Sequence, residues 1–69
     1  MIGPRLTARQ AAVAALLARG MSNRQIGTAL NIKYGTVKSH VRAILDIVGV
    51  DNRTQAAVEL SKEEWCRPN

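Results

Sequence analysis

Two short boxes of the same design punctuate the first third of this chain. Thr7-Ala8-Arg9-Gln10 and Ser22-Asn23-Arg24-Gln25 each place a hydroxyl residue three positions before a glutamine. In such a box the hydroxyl accepts from the backbone N–H of the glutamine, and the glutamine side chain reaches back, so a helix starts at a defined residue. Stop signals follow. Gly20 and Gly49 can take left-handed backbone, and so can Asn31. Asp51-Asn52 offers one more start. Starts and stops this close together permit only short helices with short connections, and no stretch alternates polar and apolar residues as a strand would. The expected fold class is all-α: a compact four-helix bundle containing a helix-turn-helix.

The apolar spacing agrees with the punctuation. Helix one is expected from 8 to about 19, with Val13, Leu16 and Leu17 as its inner stripe and Ala12 beside it. Helix two is expected over 23–30, with Ile26, Ala29 and Leu30 inward and Met21 stapled onto Ile26. Ile32 plugs the turn that follows. Helix three is expected over 34–48. At about 100° per residue, Val37, Val41, Ile44 and Val48 fall in one narrow stripe. Helix four is expected from 53 to about 61, with Trp65 as its outer limit. It carries two stripes, Ala56-Ala57-Leu60 and Thr54-Val58-Ser61, the second extending toward Trp65. One core needs one stripe, so the second is expected to meet a partner.

Sixty-nine residues hold one domain, here with a core at 6–61 and a tail, 62–69, expected to fray. No receiver or ligand-binding domain is expected within these residues. No phenylalanine is present, and Tyr34 and Trp65 are the only aromatics, so the core must be built from Leu, Ile, Val and Ala. A core this small is marginal alone and gains from a partner. No apolar run reaches the length of a membrane span, and the single cysteine, Cys66, cannot close an internal disulfide. A cytoplasmic location is expected, with no membrane partner.

Charge is distributed unevenly. Residues 1–45 hold seven Lys and Arg and no acid, giving +7; residues 46–69 hold three basic and five acidic residues, giving −2. A basic body with a mildly acidic tail points to a polyanion at the body. Opposite the apolar stripe, helix three presents Gly35, Ser39, Arg42 and Asp46, with Lys38 at the edge. This face is small, polar and basic, as a major groove requires. Lys38 and Arg42 can both donate to guanine O6 and N7, and Ser39 lies between them. Lys38, Ser39 and Arg42 are therefore the expected base-contacting residues.

Phosphate contacts are expected to flank them. Asn23 and Arg24 sit at the start of helix two, and Lys33, Tyr34 and Thr36 surround the start of helix three. Thr36 is equally a candidate local cap, and Tyr34 could instead pack on the turn. His40 is a candidate for a phosphate contact or for packing between helices. Neither His40 nor Cys66 has the neighbours of a metal site, and Ser39 and His40 point apart, so no nucleophile is assembled. No cofactor and no enzymatic activity are expected. A module that only dimerises or binds another protein is the competing reading, and helix four supports part of it.

These residues resemble the LuxR-type helix-turn-helix domain, also found as the output domain of many two-component response regulators. The resemblance rests on Leu6-Thr7, Arg9, Gly20, Ser22-Asn23, Ile26, Leu30, Ile32, Thr36-Val37-Lys38, His40, Ile44, Gly49-Val50 and Asn52-Arg53-Thr54-Gln55-Ala56. It covers residues 6–60. It implies a transcriptional regulator whose third helix enters the major groove and whose fourth helix, through Thr54, Val58 and Ser61, joins two domains on DNA as a weak homodimer. RNA polymerase is a candidate further partner. The chain departs from the pattern at Gln10 for glutamate, Gly27 for alanine, Lys33 for the serine cap, and Ile47-Val48 for Lys-Leu. Gly35-Thr36-Val37-Lys38-Ser39 also resembles region 4 of bacterial sigma factors, but Gly49-Val50 and residues 52–56 favour the LuxR type.

Overall fold

The computed structural model describes residues 6–62, and all regular structure in them is helical: α1 (Ala8–Ala18), α2 (Asn23–Leu30), α3 (Tyr34–Val48) and α4 (Arg53–Leu60). Both capping boxes form. Thr7 Oγ1 accepts from the Gln10 N–H at 3.0 Å while Gln10 Oε1 accepts from the Thr7 N–H at 2.9 Å. Ser22 and Gln25 repeat the pair at 3.1 and 2.8 Å. At α4 the Asn52 side chain accepts from the Gln55 N–H at 2.9 Å. None of the described helices is long and apolar enough to cross a membrane.

The first three helices end alike. Gly20, Asn31 and Gly49 take positive φ of 86°, 58° and 83°. The residue after each is apolar, and its N–H returns to a carbonyl five residues back: Met21 to Leu16, Ile32 to Gly27 and Val50 to Leu45. Met21, Ile32 and Val50 then pack against the core. Each ending satisfies otherwise orphaned carbonyls and turns the chain back over the bundle.

The core is Val13, Ala14, Leu17, Ile26, Val37, Val41, Ile44, Ala56 and Leu60. α1 packs against all three other helices, and α3 packs against α2 and α4. The stripe of α3 is buried as its spacing predicts, with Val48 half-buried at its end.

Four details differ from the sequence expectation. α1 ends at Ala18, with Arg19 as its cap. Ala14 takes a core position while Leu16 is half-buried, because α1 is covered on three sides and its buried arc is wide. Ala29 is exposed rather than inward. At about 100° per residue, Gly27 and Leu30 lie to one side of Ile26 and Ala29 to the other, and the turn folds over the Gly27 side. α4 stops at Leu60, with Ser61 as its cap, and the expectations for Trp65, Cys66 and the rest of the tail lie outside the described residues.

Gly27 explains its own departure from the family pattern. It is buried, and a Cβ there would sit 2.9 Å from the Ile32 carbonyl oxygen and 3.5 Å from Val37 Cγ2. The turn between α2 and α3 closes directly onto the helix backbone, which only a glycine permits without a shift.

Candidate nucleic-acid interface

α2, the three-residue turn Asn31-Ile32-Lys33 and α3 form a helix-turn-helix. Because Val37, Val41 and Ile44 are buried, the opposite face of α3 must look outward. Gly35, Lys38, Ser39, Arg42 and Asp46 are all exposed on it. Nothing lies within 4 Å of where a Gly35 Cβ would be, so this end of the helix offers a smooth surface for close approach. The Ser39 hydroxyl donates to the Gly35 carbonyl at 3.2 Å. Its proton is thus engaged by the helix, and the oxygen is left as an acceptor.

The residues expected to flank this face gather at one corner. Lys33 is the N-cap of α3, in extended backbone, and makes no side-chain capping bond. Thr36 is exposed in the first turn and makes no capping bond either. The N–H groups that open α3 therefore face outward without a side-chain acceptor, whereas the other three helices are capped by Thr7, Ser22 and Asn52. Such an end favours an anion. Tyr34, 52% exposed, joins the two helices electrostatically. Arg24 Cζ of α2 lies 6.0 Å from its ring centroid and Lys38 Nζ of α3 lies 5.7 Å from it. A cation over a ring gains about 0.5–1 kcal/mol at an exposed site, enough to bias both side chains toward this corner.

Asn23 is not a free side chain. Its Oδ1 accepts from Arg53 Nη1 at 2.5 Å, and Arg53 Nη2 donates to the Met21 carbonyl, also at 2.5 Å. Arg53 is half-buried in the first turn of α4, thirty residues along the chain. Ser22, Asn23, Arg24, Tyr34 and Arg53 line one shallow, open concavity. Arg53 was not among the expected site residues. Its only sequence signal is the resemblance at 52–56, which assigns it no role. The structure thus brings Asn23, Arg24, Tyr34 and Lys38 together and adds Arg53.

Asp46, at the far end of the outer face of α3, makes no ion pair with a described residue. Among the described residues the one ion pair joins Lys62 and Glu59 at 3.2 Å, at the far end of α4. His40 is half-buried beside the α3 stripe. On α4, Ala56 and Leu60 are buried and Ala57 half-buried, while Thr54, Val58 and Ser61 are exposed, Val58 at 64%. The Ser61 hydroxyl donates to the Val58 carbonyl at 2.6 Å.

Comparison with known proteins places this geometry. A family model described as bacterial regulatory proteins, luxR family, matches residues 4–60. The chain is 48% identical over 62 residues to the transcriptional regulatory protein DegU of Brevibacillus brevis, covering 90% of this chain and 26% of that protein. It is 45% identical over 53 residues to the transcriptional regulatory protein LiaR of Bacillus subtilis (strain 168), covering 77% of this chain and 25% of that protein. The crystal structure of the response regulator ChrA, of a heme-sensing two-component system, superposes with a TM-score of 0.80 at 38% identity, covering 88% of this chain and 30% of that one. The chain therefore spans about a quarter of the length of these curated relatives. The match over nearly the whole chain, on the helix-turn-helix described above, shows that it belongs to the luxR family of bacterial regulatory proteins, DNA-binding regulators of transcription.

Proposed function

We propose that this domain reads duplex DNA with the outer face of α3 in the major groove, and that two copies meet through α4 on a two-fold site. The observation that carries the reading is the exposed row Lys38, Ser39 and Arg42 set opposite the buried stripe of α3. Lys38 and Arg42 supply donors to guanine edges, and Ser39 an acceptor. Asn23, Arg24, Lys33, Tyr34 and Thr36, with the uncapped start of α3, supply phosphate contacts that hold the register. In the cytoplasm, bound at a promoter, the domain would meet RNA polymerase.

Phosphate neutralisation makes such binding salt-dependent. With roughly five to eight phosphates contacted per dimer, log K is expected to fall with log salt at a slope of about −0.9 per phosphate. Fluorescence anisotropy with a labelled duplex over a salt series measures it. A slope near zero, or no retention of duplex at low salt, contradicts the reading and favours a module that binds only protein.

Pairing through α4 is supported by Val58, a large apolar side chain that the core leaves exposed beside Thr54 and Ser61. The patch is small, so the pair is expected to form on DNA and dissociate in dilute solution. Val58→Glu is expected to leave the fold intact, because Ala56 and Leu60 hold α4 to the core. Facing like charges should lower affinity for a palindromic site at least about tenfold. Half-site binding should stay nearly unchanged. Equal losses on half-sites and palindromes, read by gel retardation, would show that Val58 does not mediate pairing.

A further inference from the structure

We infer that Arg53 is a positioning residue for the phosphate contact of Asn23, and that it mechanically joins the pairing helix α4 to the DNA-reading pair α2 and α3; the inference rests on the duplex-DNA reading above. α2 and α4 do not pack against each other. The Arg53 guanidinium bridges them instead, one nitrogen on Asn23 Oδ1 and the other on the Met21 carbonyl. Its planar fork meets two acceptors at once, which the single ammonium of a lysine cannot do in the same geometry.

The consequence for Asn23 is chemical. A side-chain amide has one end that accepts and one that donates. Arg53 occupies the accepting end, so the NH2 group is the end left for a ligand. An anionic phosphate oxygen takes donors only. Without Arg53 the amide can turn over and present its lone pairs to the phosphate, which repels it. Arg53 therefore fixes the sense of Asn23 before DNA arrives. Among the described residues no carboxylate pairs with Arg53, so nothing draws the fork away from Asn23 and the Met21 carbonyl. Because Arg53 belongs to the first turn of α4, a change in how α4 is held is transmitted to Asn23 through one hydrogen bond, while the second ties the same guanidinium to the Met21 carbonyl.

The test uses one selected duplex and a set of variants of it, each with a single phosphate replaced by a neutral methylphosphonate. Affinities are measured for the wild-type chain, Asn23→Ala, Arg53→Met, Arg53→Lys and the double variant Asn23→Ala/Arg53→Met. Arg53→Met is expected to weaken binding about tenfold, as loss of a charge-assisted hydrogen bond does. Arg53→Lys keeps the charge and loses the fork, and should fall with Arg53→Met. The double variant should bind no more weakly than Asn23→Ala. The methylphosphonate that penalises the wild type should penalise neither Asn23→Ala nor either Arg53 variant. Additive losses, or a methylphosphonate penalty unchanged in the Arg53 variants, overturn the inference. Should Arg53→Met fail to fold, Arg53→Lys supplies the same reading. A wild-type chain that binds no duplex sinks the DNA reading itself, a different outcome from one that binds DNA without using Arg53.

Discussion

Ile44→Ala is expected to cost about 2–5 kcal/mol, as truncation of a fully buried aliphatic side chain does, and so to remove most of the stability of this domain. Ile44 is 0% exposed, on the helix that packs against α1, α2 and α4. The core is built from small aliphatic residues, with no aromatic ring among them. A domain this small has only a few kcal/mol in total. At about 4–8 °C per kcal/mol, the melting temperature should drop by tens of degrees in a far-UV circular dichroism melt. Ala29→Ser is the matched control. Ala29 is exposed, and its replacement should change stability by no more than about 0.5 kcal/mol. A large loss at Ala29 and a small one at Ile44 would reverse the account of the core.

That contrast shows what could be read from the chain. The capping boxes at Thr7 and Ser22 and the left-handed stops at Gly20, Asn31 and Gly49 are local. Their chemistry is complete within four to six residues, so they are visible in sequence. The α3 stripe is long enough for its period to be unambiguous. Ala29 failed because α2 has only eight residues, too few for spacing to say which side of Ile26 faces the turn. Gly27 stands out in the sequence as a departure, but its cause, the Ile32 carbonyl folded back onto it, is tertiary. The outer face of α3 was legible as the complement of its stripe. The Ser39 hydroxyl bond to Gly35 was not, since nothing in the pattern distinguishes a free hydroxyl from one turned onto its own helix. Arg53 was hardest, because its partners lie thirty and more residues away.

Lys38→Ala and Arg42→Ala are each expected to cost about 1–3 kcal/mol of binding to the preferred duplex, up to roughly two hundredfold in affinity. The two residues are one helical turn apart, about 6 Å along the axis, which spans nearly two base-pair steps. They should therefore relax discrimination at different positions of the site. Neither change touches the core, so melting temperatures should stay close to wild type. Lys38 also leaves the Tyr34 ring, a minor loss beside that of a base contact. Selection from random duplexes by each variant displays the two profiles. Asn23→Ala, by contrast, should weaken all sequences about equally, because phosphates carry no base identity.

Methylation interference on the selected duplex tests most directly whether the outer face of α3 reads the major groove. Methyl groups at guanine N7 project into the major groove, and those at adenine N3 into the minor groove. The account predicts loss of binding on N7 methylation at separate guanines within each half-site. One guanine should become insensitive in Arg42→Ala and another in Lys38→Ala. Interference confined to adenine N3, or an N7 pattern identical in the wild type and both variants, would contradict it.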